Sequence, residues 1–398
     1  MNRPHLFIAS LSPLSQDRRV RRQLHFLRDD YRITAAGFTD PAMDGVEFIQ
    51  IPRPSSQFAH VNKVFRRAAS KIAVGTGYLR LLFRQYESYY WKQPWAQSLV
   101  ESMAKEPVDL IYANEIELLP VAVRVAKQHN AKIFADAHEF TPRQHDHRWS
   151  FRFFFQRYWD YVCQKYLPQV DDLVTVSDSI AEEYQRLYGV NCGVITNMPF
   201  LEDLEANPPG EEGLIRMIHH GGAVRDRSLE QMIDVMQFLD DRFRLEFMLL
   251  PGSRGYLEEL KDLASGDERI TFREPVPGAE IPSVINNYDL GLYLLQPISS
   301  NHRLALPNKL FDFIQGRLAV AIWPSKEMKR VVEHYQCGIV SEEFTIESIA
   351  KPLKALRSGE LMKMKESADQ AARELCAEEN GRKLVAAIDG LLAPESIR

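Results

Sequence analysis

The chain has 398 residues, with 49 Lys and Arg against 54 Asp and Glu, a net charge of −5 and a hydrophobic fraction of 45%. That length exceeds one comfortable core and points to two domains of roughly 150 to 200 residues each, while the mildly acidic balance argues against a general nucleic-acid binder. No apolar run approaches the roughly 18 to 20 residues that span a bilayer, and Met1-Asn2-Arg3-Pro4 leads straight into a strand, so we expect a chain without a cleaved signal that works in the cytoplasm.

Short apolar strands alternate with amphipathic helices, the pattern of parallel sheets covered on both faces. In the first half, strands are predicted at His5–Leu11, Tyr31–Gly37, Leu110–Tyr112, Ala131–Asp136, Asp172–Val176 and Gly193–Thr196, and helices at Asp17–Leu27, Leu118–His129 and Ile180–Tyr188. Between the second and third strands, His60–Trp95 carries Lys63, Arg66, Arg67, Lys71, Arg80, Arg84 and Lys92 against one acid, Glu87, interleaved with aromatic and aliphatic residues. A basic amphipathic helix of this kind suits the interface of an anionic membrane. The competing reading is a helix that packs its apolar face into the domain. The aromatic run Phe151–Tyr161 reads as core or as a partner surface.

Asn197-Met198-Pro199 and the polar run Glu202–Glu212 then read as a linker. A second series follows, with strands at Leu214–His220, Phe243–Leu250, Ile270–Arg273, Leu290–Leu295 and Ala319–Trp323. Its helices are placed at Leu229–Phe238, Gly255–Ala264, Ile281–Asn286, Asn308–Gln315 and Met328–Tyr335, and Ser358–Leu392 reads mostly as helix. Two doubly wound domains are expected, residues 1–202 and 203–375, with the C-terminal helix of residues 376–398 packed back on the first.

The stretch Ser299–Gly316 opens a helix where an α/β sheet holds anionic ligands. Ser299–Arg303 reads as the loop after a buried strand, and Pro307 suits the first helical position, where a backbone N–H lacks a partner anyway. The free N–H groups there, Asn308 among them, together with the helix dipole and Lys309, make a phosphate site. One turn later Asp312 is placed for sugar hydroxyls, with a solvated helix residue as the competing reading. Phosphate beside ribose points to a nucleotide. A second anion cradle lies in Met217–Gln231, where Gly221-Gly222 lets backbone approach a ligand and Arg225 and Arg227 supply guanidinium groups. His138, with Glu139 beside it, follows a strand whose end is where such folds place ligand contacts; Glu115 has a similar location. Cys163, Cys192, Cys337 and Cys376 form no CxxC pair or His-Cys cluster, so neither a zinc site nor a disulfide framework is implied.

Taken in order, QDRRVRRQLHFL, ANEIELLPVAVRVAKQHNAKIFADAHEF, DLVTVSDSIAEEYQRLYGVNCGVITNMP, HHGGAVRDRSLEQMIDV and LPNKLFDFIQG resemble the GT-B fold, specifically the retaining glycosyltransferases of family 4 that act in bacterial polysaccharide assembly. The resemblance implies two Rossmann-like domains facing a central cleft. It implies a nucleoside-diphosphate sugar donor on the C-terminal domain, a glycan or lipid-linked acceptor approached from the N-terminal one, and no metal or other cofactor. It also implies a position near the donor sugar for His138 and contact with acceptor or sugar hydroxyls for Glu139. In the family, two acids flank the donor helix, and here Leu304 takes the first position and Asp312, shorter than the usual Glu, the second. The family's Arg after the glycine is replaced by Gly222, and Arg227 takes the place of its Lys; Arg225 is the expected substitute for the missing cation. Asp17, Arg19 and Arg22 match the family's first loop, where Arg19 either reaches the cleft or pairs with Asp17.

The expected function is transfer of a sugar by front-side attack, at a peripheral membrane site on the inner face. A catalytically silent GT-B-like binding or scaffolding subunit and a nucleotide-sugar epimerase or hydrolase are the rivals. A dinucleotide-dependent oxidoreductase is disfavoured, because no GxGxxG follows the first strand.

Overall fold

Apolar runs too short for helices form strands buried on both faces: Leu6, Ile8 and Ala9, like Leu110, Ile111 and Ala113, have no solvent exposure. The structure is a computed structural model that describes residues 3–53, 75–210 and 213–393. Its contacts divide it into one unit of Met1–Ile195, Ser299–Asn301 and Gly381–Arg398, and a second of Thr196–Ile298 and His302–Asn380.

The first unit holds a parallel sheet of β1 (His5–Ala9), β2 (Arg32–Gly37), β3 (Val46–Gln50), β4 (Leu110–Asn114), β5 (Lys132–Ala137), β6 (Asp172–Thr175) and β7 (Gly193–Val194), in the order β3-β2-β1-β4-β5-β6-β7. Edge strand β3 is absent from the sequence prediction because its residues are only partly buried and lack a continuous apolar signal. The helices are α1 (Arg18–Leu27), α2 (described over residues 75–82), α3 (Tyr86–Tyr90), α4 (Pro94–Met103), α5 (Leu119–His129), α6 (Gln156–Tyr166) and α7 (Asp178–Tyr188). Asp17 starts α1 by accepting from the N–H groups of Arg19 and Val20, both at 3.1 Å.

His60–Trp95 is not one helix. Within its described part, Arg84 at φ +55° ends α2, and Pro94 opens α4 where a missing N–H costs nothing. Lys63, Arg66, Arg67 and Lys71 lie outside the described residues. The buried Tyr90 and Trp95 join the core, and Glu87 accepts from Tyr161, Tyr166, Lys165 and Trp91 at 2.7 to 2.8 Å.

The second unit repeats the plan. Its sheet is β8 (Ile215–Ala223), β9 (Phe243–Pro251), β10 (Ile270–Arg273), β11 (Leu290–Tyr293), β12 (Ala319–Ile322) and β13 (Gly338–Val340), in the order β10-β9-β8-β11-β12-β13. The helices of this part of the chain are α8 (Glu230–Met236), α9 (Tyr256–Ala264), α10 (Ile281–Ile285), α11 (Ser300–Leu304), α12 (Asn308–Gln315), α13 (Lys326–Tyr335), α14 (Ile346–Ala355) and α15 (Ser358–Glu374), with Ser300 and Asn301 of α11 counted in the first unit. The expected loop Ser299–Arg303 is therefore largely the single turn α11. Strand β8 continues through Gly221-Gly222 instead of stopping at His220, because it pairs with β9 along its whole length. The tail breaks at Leu375-Cys376 between α15 and α16 (Ala377–Leu392). Leu384 and Ile388 of α16 pack with Leu6, Leu24 and Tyr31 of the first unit, whereas Leu361, Ala368 and Ala371 of α15 sit in the second core. Among the described residues no helix is long and apolar enough to cross a membrane.

Candidate active site

In both units the first strand, β1 or β8, lies between the strand that follows it and a strand reached by a crossover. This reversal opens a crevice at the carboxyl ends of the strands, where doubly wound sheets bind ligands. The polar residues of interest collect at these two places.

In the first unit the crevice is floored by a buried ion network. Arg19, in the first turn of α1, makes a two-bonded pair with Asp136 of β5, Nε to Oδ2 at 2.8 Å and Nη2 to Oδ1 at 2.7 Å. Gln23, one turn later, donates to both Asn114 and Asp136 at 2.9 Å, and the Tyr112 hydroxyl donates to Asp136 at 3.1 Å. Burial alone would raise the Asp136 pKa, but Arg19 and His138 overcome it and hold the carboxyl far below its usual range.

His138, 20% exposed at its side chain, sits on top of this network. Its Nδ1 lies 2.9 Å from Glu115 Oε1, and its Nε2 lies 3.3 Å from Asn114 Oδ1 and 3.6 Å from Asp136 Oδ2. Both ring nitrogens thus face acceptors, which suits the imidazolium. Burial opposes that charge, but Glu115 and Asp136 outweigh it and raise the pKa to about 10. Glu115 reaches this position through a backbone at φ +81° and ψ 147°, a region that carries strain of about 1 to 3 kcal/mol for a non-glycine residue and clusters at functional sites. Its own N–H is tied to the Asp136 carbonyl at 2.8 Å. The Glu139 carboxylate accepts from Gln144, and its carbonyl accepts from the Tyr184 hydroxyl at 3.0 Å.

In the second unit β8 pairs with β11 only at Met217 and Ile218, so its end, His219 to Ala223, separates from β11. Helix α12 packs tightly there, since a Cβ at Gly291 would lie 2.3 Å from the Phe313 ring. This seats Lys309 across Gly221, whose φ of +121° and missing side chain leave room: a Cβ there would fall 2.8 Å from Lys309 Nζ and 3.8 Å from Arg227 Nη1. Arg227 also donates to the Gly222 carbonyl at 3.3 Å. Lys309 is only 8% exposed, its amine 5.2 Å from the centre of the Tyr293 ring. Burial first, then the Arg227 charge, lower its pKa to about 7 against the raising effect of Asp312. Asp312 is 1% exposed, with His220 Nε2 3.7 Å from its Oδ2. It is not a solvated helix residue, and Lys309 is not a surface charge. Two cations therefore converge on a glycine pair at a strand end, beside a helix N-terminus.

Comparison with known proteins follows the same lines. Residues 50–198 match the model of Glycosyltransferase Family 4. No curated protein sequence matches the chain. Among solved structures, a glycosyltransferase from Rickettsia africae ESF-5 is similar with a TM-score of 0.70 at 12% identity, over 99% of this chain and 100% of that one. HepE of Anabaena, solved in complex with UDP-glucose, gives 0.69 at 12% identity over 97% and 99%. Sucrose-phosphate synthase of Thermosynechococcus elongatus gives 0.70 at 12% identity over 98% and 99%. The chain has the GT-B fold.

Several expected site residues of the GT-B chain are brought together and others are not. Gly221, Gly222, Arg227, Lys309 and Asp312 form one cluster. Arg225 does not join it: its guanidinium makes an exposed pair with Glu259 at 2.5 Å and lies over the ring of the buried Tyr256 at 4.8 Å. Pro307 is the N-cap of α12 and not its first helical residue, which is the exposed Asn308. The expected Arg19–Asp17 pair is replaced by Arg19–Asp136, because Asp17 is occupied in capping α1. Sequence reasoning missed Asn114, Asp136, Gln23 and the adjacent His219 and His220. A signal existed for the strand residues, since each interrupts an otherwise apolar strand toward its carboxyl end, whereas Gln23 lies within α1. Glu117 was missed too; burial and Glu115 raise its pKa to about 7.

Proposed function

We propose that this GT-B chain is a retaining, metal-independent glycosyltransferase that moves a hexosyl group from a nucleoside diphosphate sugar to a hydroxyl of a glycan or lipid-linked saccharide. The observation that carries the reading is the convergence of Arg227 and Lys309 on Gly221-Gly222, next to the start of α12. Two fixed cations and backbone N–H groups suit a diphosphate, and they stabilise the charge that grows on it as the glycosidic bond breaks. They supply the positive charge that a divalent ion would otherwise bring. The UDP-glucose complex of HepE supports a nucleotide-sugar donor for this fold. Asp312, at the position that resembles the family's ribose-binding acid, completes the donor set as a ribose ligand.

In the proposed reaction the acceptor hydroxyl attacks the anomeric carbon on the face that the diphosphate leaves. The C–O bond to the diphosphate breaks, and the hydroxyl proton passes to a diphosphate oxygen, so configuration is retained. His138 is held as an imidazolium with both N–H groups facing protein acceptors, so it brings positive charge near the sugar and does not act as the base. An inner-face membrane location fits a lipid-linked acceptor.

A second reading, a GT-B chain that binds a nucleotide sugar without turning it over, is favoured by Leu304 at the family's first acid and by Arg225 facing Glu259. A panel of UDP-, GDP- and ADP-sugars, assayed for transfer and slow hydrolysis, separates the two. The enzyme reading expects turnover of at least one donor, reduced by Asp312→Ala. Binding without turnover selects the second reading, and neither binding nor hydrolysis rejects both.

A further inference from the structure

Two stretches of the first unit, far apart in the chain, carry six of the twelve large hydrophobic side chains that are exposed among the described residues: Tyr78, Leu79, Leu82 and Phe83 in one, Trp149 and Phe153 in the other. Phe83 and Trp149 are 69% and 71% exposed. The stretches adjoin, because the Tyr78 ring meets the edge of Phe154 with centroids 4.8 Å apart, and Phe153 meets Phe154 at 4.9 Å. Residues 78, 79, 82 and 83 share one side of the turn that ends α2, whereas Leu81 points the other way and is 4% exposed. The helix is therefore amphipathic in the inverted sense, with its core contact made by Leu81 and its broader apolar side turned to solvent. Simple packing into the domain does not account for it.

The charge around this patch has one sign. Residues 75–86 contain Arg80 and Arg84, residues 148–159 contain Arg148, Arg152 and Arg157, and neither stretch contains an acid, in a chain whose net charge is −5. The flanking acids are engaged: Glu87 by the four donors named above, Asp146 by the Ser300 N–H at 3.0 Å, and Asp160 by Arg143 and the Tyr188 hydroxyl at 3.0 and 2.6 Å. Exposed aromatic and aliphatic side chains set among arginines match the boundary between anionic headgroups and acyl chains. A second copy docked face to face would place five arginines against five.

We propose that Tyr78–Arg84 and Arg148–Phe153 form a composite membrane-seating surface for an anionic lipid bilayer, in which Leu79, Leu82, Phe83, Trp149 and Phe153 enter the boundary layer and the arginines engage lipid phosphates. The surface deepens the glycosyl-transfer reading by giving a lipid-linked acceptor a place to be met, and it rests on that reading for the acceptor alone.

The test uses the full chain, floated with vesicles of phosphatidylcholine alone or mixed with phosphatidylglycerol. Binding to the mixed vesicles and not to the neutral ones is expected, weakening as salt is raised. Phe83→Ser with Trp149→Ser removes the apolar anchors, and Arg80→Gln, Arg84→Gln and Arg152→Gln together remove charge at about fivefold in affinity per arginine. Each set is expected to weaken vesicle binding at least tenfold while the melting temperature stays at the wild-type value. Nucleoside diphosphate binding, measured on the same variants, reports separately on the donor reading. The proposal is overturned if the chain floats with neither vesicle, if the variants float like wild type, or if their effect is to dissociate a dimer or release a bound acidic protein.

Discussion

Lys309 lies across Gly221, in the space a side chain there would fill: a Cβ at Gly221 would fall 2.6 Å from Lys309 Cε. The end of β8 and helix α12 are thus fitted to each other through one missing methyl group. Gly221→Ala should both strain the backbone at φ +121° and displace the lysine. We expect a stability loss of about 1 to 3 kcal/mol in denaturant unfolding and at least tenfold weaker nucleoside diphosphate binding by calorimetry. Gly222→Ala is the control, since its nearest neighbour would be Val224 at 3.6 Å, and it should lose far less of either.

The same lysine should make nucleoside diphosphate binding depend on pH. With its pKa lowered to about 7 by burial and by Arg227, Lys309 loses its proton as pH rises above 7. A diphosphate that restores the charge must then bring a proton with it. Affinity should fall above pH 7 by up to tenfold per pH unit. Titrations in buffers of different ionisation enthalpy should show proton uptake, and Lys309→Met should abolish both the uptake and the slope.

Stability should carry two opposed pH dependences. The His138 pKa is raised from 6.5 to about 10, so its contribution is complete below pH 6.5 and is lost as pH rises through 10. The Lys309 pKa is lowered from 10.5, so between pH 7 and 10.5 the unfolded chain holds more protons and stability rises with pH. Thermal melts across pH 6 to 10 should therefore slope more steeply upward in His138→Gln than in wild type, and more steeply downward in Lys309→Met.

Arg19 and Arg225 should behave as opposites although both are paired. Arg19→Met leaves Asp136 buried without its main counter-charge, which should cost about 3 to 5 kcal/mol in urea unfolding. Arg225 pairs with Glu259 at the surface. Arg225→Met should leave the unfolding midpoint and nucleotide affinity at wild-type values, and a large loss of affinity would return Arg225 to the donor site.

Much of this was legible in the sequence because the doubly wound plan writes itself into short apolar runs. Strand β10 and helix α12 were placed at their observed bounds, and the Gly221-Gly222 and Asn308–Asp312 segments were singled out by turn chemistry and helix-end physics. Side-chain pairing was not legible. Whether Arg19 meets Asp17 or Asp136 depends on a contact between residues far apart in the chain, and local spacing favoured the near partner. Similarly, Arg225 and Arg227 look equivalent in VRDRS, and only the fold of the turn sends one to Glu259 and the other to Gly222. Strand β3 and the turn α11 escaped because too few of their residues are buried to leave a periodic signal.

The most direct test is calorimetric titration of UDP, GDP and ADP into wild-type chain and into the Arg227→Met, Lys309→Met double variant at pH 6.5, where Lys309 is mostly charged. The account predicts that at least one nucleoside diphosphate binds the wild type and that the double variant, with a melting temperature no lower than that of the wild type, binds it at least a hundredfold more weakly. Equal binding by the two proteins, or no binding of any of the three to the wild type, would contradict it.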